Sequence, residues 1–339
     1  MLTLIVPGLI WTRQALADLT YDLPLPAFTT LLGRGRLHQQ SPRSTVAVLA
    51  EISGLPAPLP AAALRRLALL QAPGRDDSGD WLCLDPVRLR FEGRTLIVDD
   101  PQRLELTGEE SAALAISLAP ALAHLGQLEV ISPHCWNLRL AASAPVFQPL
   151  LEAADRAASP LPMEAAYAPW RHAINEAQML LHAHPVNQAR EAAGRPLVNS
   201  LWPWGGGRLP EFGNSAGGSR HDALWCDDPV AQGIARLLQI DCAALPARFS
   251  AATARTPLAV YDALEHPARA GDALIWREQL ARFEADWLAP ALDALRSGRL
   301  DALRLLAPGD LAAVELQVSR HDLWKFWRKP RALAELGPP

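Results

Sequence analysis

Lysine is nearly missing from this chain. Of its 32 basic residues 30 are Arg, and the two lysines, Lys325 and Lys329, both lie near the C-terminal end. Against 36 acidic residues the net charge is −4. That leaves no basic surplus of the kind a general nucleic-acid binder carries. Charged residues make up only 20% and hydrophobic ones 50%, which excludes an intrinsically disordered chain. No apolar run reaches the roughly 18–20 residues that span a bilayer, so no membrane partner is expected. The first apolar stretch, Leu2 to Ile10, is short and has no basic residues before it; it reads as a strand and not as a signal peptide. The four cysteines (Cys83, Cys135, Cys226, Cys242) show no CxxC spacing. They suit reduced, mostly buried packing thiols and a cytoplasmic location.

A chain of 339 residues suits two domains, or one domain carrying a large insertion. Leu2–Val6 ended by Pro7-Gly8 predicts a central parallel strand. Helical spacing follows at Leu16 and Leu19, then at Phe28, Leu31 and Leu32 with Gly33 and Gly35 as the stop, and again over 47–52. Pro56, Pro58 and Pro60 make a linker-like break. Beyond it the spacing predicts a helix over 61–71, a half-exposed alternating strand over 81–91, a turn at Glu92-Gly93 and a returning strand over 95–98. Thr107-Gly-Glu-Glu110 predicts a capped helix running to about Leu125, followed by strands at 128–131 and 136–140. A helix through Asn175–His182, a strand over 198–204, helices at 229–238 and 274–296, and strands at 258–261 and 303–306 complete the reading. Strands alternating with helices predict a mostly parallel sheet covered on both faces.

The most unusual stretch is His182-Ala-His184-Pro-Val-Asn187-Gln-Ala-Arg190, continuing to Asn199-Ser-Leu-Trp202-Pro-Trp204-Gly205-Gly206-Gly207. His, Asn and Arg are compact donors suited to phosphate or carboxylate. The glycines free the backbone to approach a ligand or another chain segment closely. Gly205–Gly207 is neither a P-loop nor a GxGxxG turn. Trp202 and Trp204 are read equally as packing. His182 and His184, two apart, do not share a helix face.

This run resembles two related groups. One is the archaeal-type, cofactor-independent phosphoglycerate mutases of the alkaline phosphatase superfamily. The other is the bacterial RpfE-type regulatory protein family, phosphoglycerate mutase-like, whose pattern is similar to Asn175-Glu-Ala-Gln-Met-Leu-Leu-His182 followed by Asn199-Ser-Leu-Trp202 and Trp204–Gly207. The resemblance implies a phosphatase-type core interrupted by a smaller domain, with two divalent metals held by Asp and His and a Ser nucleophile. A first metal-binding Asp is implied after the first strand, where this chain has Pro7-Gly8-Leu9. The nucleophile run is matched by Ser44-Thr45-Val46-Ala47, with Thr45 where Asp is implied. A late ligand run is matched by Glu265-His266-Pro-Ala-Arg269-Ala-Gly271-Asp272, with Arg269 where His is implied. Ala307-Pro308-Gly309-Asp310 lacks the next His, and His321-Asp322 is an isolated counterpart of the last. A fixed Arg charge about 4 Å from a cation repels it by roughly 4 kcal/mol per unit charge at an effective dielectric near 20. Ser44 without a metal or base is a weak nucleophile, and a helix-cap serine is the alternative reading.

The expected fold is therefore α/β: an alkaline-phosphatase-like, mostly parallel sheet over 1–59 and 171–330, an inserted α+β domain over 60–170, and a loosely held tail over 331–339. The expected function is that of a catalytically degenerate phosphoglycerate-mutase-like protein with a regulatory or ligand-binding role. His184, Asn187, Arg190, Asn199 and Gly205, Gly206 and Gly207 would line an anion pocket. No cofactor is expected, a divalent metal such as Mn or Zn being the alternative. The expected partner is a phosphorylated small molecule or a protein. Two other readings stand beside this: an active phosphomutase or phosphatase using Ser44 with a reduced metal site, and a protein-interaction scaffold using its 11 Trp. The cluster Trp324-Lys-Phe-Trp327-Arg-Lys-Pro330 could stack on bases, but it is expected to pack its aromatics on the core.

Overall fold

Leu2–Ile5 is apolar at every position but one and buried at all four. A strand covered on both faces needs no polar alternation, so this one sits at the centre of a sheet. The computed structural model describes residues 1–70, 79–155, 157, 161–210 and 220–338. In chain order its strands are β1 (Leu2–Ile5), β2 (Arg36–Gln40), β3 (Trp81–Val87), β4 (Leu89–Glu92), β5 (Thr95–Val98), β6 (Gly126–Ser132) and β7 (Cys135–Leu140). These are followed by β8 (Ser200–Gly207), β9 (Ala223–Trp225), β10 (Asp241–Ala243), β11 (Pro257–Val260), β12 (Ala302–Ala307) and β13 (Ala313–Ser319). The chain divides into two units, 1–57 with 214–339, and 58–213.

The first unit carries a seven-stranded sheet in the order β10-β9-β11-β1-β12-β13-β2. The five strands from β10 to β12 are mutually parallel. In β1, Leu4 lies opposite Ala259 of β11 and Leu305 of β12. β13 runs antiparallel to both β12 and β2, so β2 again points the same way as β1. Leu2, Leu4, Phe28, Leu31, Trp276, Leu280, Phe283 and Trp287 belong to one buried cluster. The expected helix over 274–296 is interrupted. Ala273–Phe283 passes through a π turn, Glu284–Leu288, before Ala289–Arg296 resumes. The Glu284 carboxylate accepts from the Ala27 and Phe28 amides at 2.6 and 3.0 Å. The helix Pro26–Arg34 has no side-chain cap of its own, so Glu284 satisfies its first amides from the far end of the chain.

The second unit has an antiparallel sheet, β6-β7-β3-β8, and the hairpin β4–β5. The expected single half-exposed strand over 81–91 is two elements. β3 is fully buried because it lies between β7 and β8, and β4 turns away to pair with β5. Helices Gly108–Leu122 and Ala168–His182 supply Leu114, Leu118, Trp170, Ala177 and Leu181 to the core with Trp136 and Leu138 of β7. The Thr107 hydroxyl and Glu110 carboxylate form a reciprocal capping box. At its centre the Arg65 guanidinium grips Asp85 with two bonds of 2.8 and 2.9 Å, both side chains being almost wholly buried.

The second boundary falls at 213/214 and not at 170/171. The helix Ala168–His182 and β8 complete the core of the smaller unit, so the run that looked like the return of the larger domain belongs to the insert. The tail is also held more firmly than expected. Leu333 and Leu336 are buried, and the Arg13 amide donates to the Pro338 carbonyl at 2.9 Å. Cys83 and Cys226 are buried, Cys135 is half-buried and Cys242 is exposed. Among the described residues no helix is long and apolar enough to cross a membrane.

Candidate functional site

In open α/β sheets ligands gather at the carboxyl ends of the parallel strands. Here that edge is formed by Pro7-Gly8, 41–44, Cys226–Asp228, Asp262–His266 and Pro308–Asp310, which follow β1, β2, β9, β11 and β12. Ser44 sits on it as the N-cap of helix Thr45–Ser53, its Oγ accepting from the Ala47 amide at 3.2 Å. Arg43 and Gly309 exchange backbone hydrogen bonds of 3.1 and 3.0 Å, which fixes this loop beside Asp310. Arg43 pairs with Glu51, and Arg269 with Glu265. Although Asp262 presents surface to water, desolvation by surrounding protein and the nearby Asp228 and Asp227 carboxylates push its pKa up.

The donor set on this edge does not fit a two-metal cage. Gly8 adopts φ +76°, and a Cβ there would overlap the Leu264 backbone. Trp276 Nε1 donates to the Gly8 carbonyl at 2.8 Å, and Leu9 and Leu264 are fully buried. Apolar packing therefore occupies the position where the resemblance implied a carboxylate. His321 does not join the edge. It follows β13, whose last residue pairs with Ala302 at the start of β12. The length of that strand puts it on the order of 15–20 Å away, at the opposite end of the sheet. Within each unit taken alone, no three His, Cys, Asp or Glu ligand atoms of the described residues come within 4.8 Å of one another.

The polar run of the smaller unit is brought together, but as internal bracing. His184 caps the helix Pro185–Ala192, an element absent from the sequence reading. Its Nδ1 accepts from the Val186 amide at 3.1 Å and its Nε2 lies 2.9 Å from Ser117 Oγ. Burial holds its pKa below the ordinary histidine value. The Asn187 amide donates to the Leu181 and Val198 carbonyls, both at 2.7 Å, and accepts from the Val198 amide at 3.1 Å. Arg190 is fully buried, bonded to the Pro196 and Leu104 carbonyls and to Glu110 at 2.8 Å. Asn199 exchanges two bonds with the Leu89 backbone, each of 2.7 Å. A Cβ on Gly205 would lie 2.6 Å from the Ala61 Cβ, and one on Gly207 would lie 3.1 Å from the Pro60 Cβ. The glycines admit a neighbouring helix start, not a ligand. The expectation of an anion pocket lined by these residues is corrected accordingly: their polar atoms are engaged with the chain itself.

A different part of the same unit forms a cleft of about 370 Å³. Its walls include Leu96, Phe147, Met163, Ile174, Leu201 and Trp202, and its polar groups include Arg171, Asn175, Gln178 and Ser200. Gln178 Nε2 donates to Ser200 Oγ at 3.0 Å. Arg171 Nη1 donates to the Pro162 carbonyl and, at 3.3 Å, to the Glu164 carbonyl. No carboxylate pairs with this guanidinium among the described residues, so an apolar cleft carries one uncompensated positive charge. The sequence signal was the i, i+4, i+7 spacing of Arg171, Asn175 and Gln178, which puts all three on one face of helix Ala168–His182.

No family model matches the chain, and no curated protein sequence matches it. Among solved structures it is similar to the cofactor-independent phosphoglycerate mutase from Thermoplasma acidophilum DSM 1728, at 17% identity and a TM-score of 0.50 over 99% of this chain and 94% of that one. It is also similar to the PH0037 protein from Pyrococcus horikoshii, at 16% identity and a TM-score of 0.58 over 99% and 92%. At such identities the likeness speaks to architecture alone. The chain has a mixed α/β fold of the phosphoglycerate-mutase-like, alkaline-phosphatase-like kind, with a large mostly parallel sheet and a separate antiparallel-sheet unit.

Proposed function

We propose that this chain is a non-catalytic, phosphoglycerate-mutase-like protein that acts by binding an anionic small molecule with an apolar body. The observation that carries this reading is the cleft of the smaller unit. Pockets that hold small molecules are mostly apolar, with a few placed polar groups that fix orientation. Arg171 supplies a fork of donors suited to a carboxylate or phosphate, and its bonds to two carbonyls aim it without neutralising it. Gln178, Ser200 and Asn175 offer further hydrogen bonds, and Phe147, Ile174 and Leu201 take the apolar part. The lack of a fit to two metals at the sheet edge argues against inherited phosphoryl transfer, because that chemistry depends on cations clamping the transferred group. The resemblance of the 175–207 run to the RpfE-type family supports a regulatory role.

The test is calorimetric titration with paired ligands, a medium-chain carboxylate and the alkyl phosphate and alcohol of the same length. Arg171→Gln is measured alongside. Binding of an anion, with the alcohol at least about tenfold weaker and the preference lost in Arg171→Gln, is expected for a charge-assisted contact. Metal-dependent turnover of a phosphate ester that disappears in Ser44→Ala would overturn the proposal.

A further inference from the structure

We propose that the segment 324–329 is a docking surface for an anionic phospholipid bilayer. Trp324, Phe326 and Trp327 are 76, 78 and 69% exposed. Large aromatics left this open on one short segment are unusual, because each would bury substantial apolar area if the fold allowed it. The expectation that they pack on the core is thus reversed.

Their exposure does not come from a slack chain, because the backbone around them is tightly held. Leu323 is buried, and its carbonyl accepts from Arg34 Nη1 at 2.6 Å. The Asp322 carboxylate accepts from the Ser319 amide at 2.9 Å and pairs with Lys325, which together with Ser319 Oγ holds its pKa at about 2 despite partial burial. Beyond the aromatics, Gly33 packs directly on the Lys329 carbonyl, where a Cβ would overlap. The Arg331 amide then donates to the Thr29 carbonyl at 3.1 Å. The fold fixes both ends of the segment and directs three rings outward, with Phe326 and Trp327 stacked edge to face at 5.4 Å.

The charge around these rings is opposite in sign to that of the molecule. Between 320 and 331 lie five basic residues: Arg320, Lys325 and Arg331 are paired with Asp301, Asp322 and Glu335, and Arg328 and Lys329 leave a local positive surplus. The chain as a whole carries −4, and both of its lysines are here. Arg328 and Lys329 are exposed. Indole and phenyl rings beside Lys and Arg form the combination that settles at the headgroup level of a bilayer, rings inserted and cations among phosphates. Three rings of about 150–250 Å² each fall short of the roughly 800 Å² that a stable protein interface takes from each partner, which favours a lipid surface over a second protein. Attachment through such a patch is peripheral and agrees with the absence of a spanning helix among the described residues.

The experiment is flotation of the full chain with vesicles of phosphatidylcholine alone and of phosphatidylcholine with phosphatidylglycerol, at low and at raised salt. Co-flotation with the phosphatidylglycerol vesicles, weakened by salt, is expected. Arg328→Gln with Lys329→Gln should weaken it by about fivefold per charge removed. Phe326→Ser with Trp327→Ser should weaken it by more than about tenfold at either salt. These side chains face water, so circular dichroism should match the parent. No flotation at low salt, equal flotation with both vesicle types, or indifference to the aromatic pair would overturn the proposal. So would a self-association, or a single-stranded nucleic-acid complex, that the same substitutions abolish in place of vesicle binding.

Discussion

Replacing Asp85 by Asn changes little in size and much in energy. Asp85 accepts four hydrogen bonds: 2.8 and 2.9 Å from Arg65 Nη1 and Nη2, 3.0 Å from the Trp136 amide and 2.7 Å from Trp204 Nε1. The side chains of Arg65 and Asp85 are 4% and 2% exposed. Burial by itself would depress the Arg65 guanidinium, and the Asp85 charge reverses this, raising its pKa above the usual arginine value. Asn would remove the counter-charge and turn an NH2 group toward donors. The Trp136 carbonyl and Asn137 Oδ1 still accept from Arg65 at 2.8 and 2.7 Å, but neither carries charge. Breaking a buried pair from one side costs about 3–5 kcal/mol, whereas replacing both partners by apolar groups can be nearly neutral. Urea unfolding followed by tryptophan fluorescence should therefore show a loss of that size for Asp85→Asn. The pair Arg65→Met with Asp85→Leu should lose less than the single variant. If Asp85→Asn unfolds within about 1 kcal/mol of the parent, the assignment of this ion pair as the keystone of the smaller unit's core is wrong.

Three further outcomes are expected. Thr107→Ala removes one half of the capping box and should cost about 1 kcal/mol in urea unfolding, with Thr107→Ser nearly silent. Glu284→Ala strands the buried amides of Ala27 and Phe28 and should cost about 1–3 kcal/mol for each, seen as a lower thermal midpoint. Stability should also fall in two stages on acidification. Burial holds His134, His184 and His221 below the ordinary value, so the unfolded chain takes up protons first and stability declines as pH drops through about 6.5. Glu110, Asp222 and Asp322 are held low, and their contribution is present above about pH 4 and lost below it. Urea midpoints across this range, with proton NMR titration of His184, check both stages.

The central strands were legible because both-face burial leaves an apolar run, as at Leu2–Ile5 and Leu258–Val260, and β12 stayed legible although Arg304 interrupts its run. The Thr107–Glu110 cap was legible because its reciprocal bonds are local. β2 was not, since Arg-Leu-His-Gln-Gln is an edge strand with little apolar signal and takes its conformation from pairing with β13. β9 and β10, three residues each, are too short to show a period. The helix Pro185–Ala192 has a local signal in the sequence, a capping side chain at His184 followed by Pro at the first helical position. In the 182–208 run the residue types are unusual, but sequence does not tell a donor aimed at a ligand from one aimed at its own backbone. Asn187 and Arg190 satisfy carbonyls left open by the turns around them. Arg171 was missed because its meaning lies in the missing counter-ion, which only the packed structure reveals.

The position of β1 has a consequence for how the protein is made. It leaves the ribosome roughly 250 residues before β11 and roughly 300 before β12, the two strands that flank it. At about 5–20 residues per second, this apolar segment waits on the order of 15–60 s for both neighbours. The contiguous segment 58–213 meets no such delay and can finish folding during that wait. Nascent chains stopped before Pro257 would consequently present a folded insert beside an orphaned apolar strand.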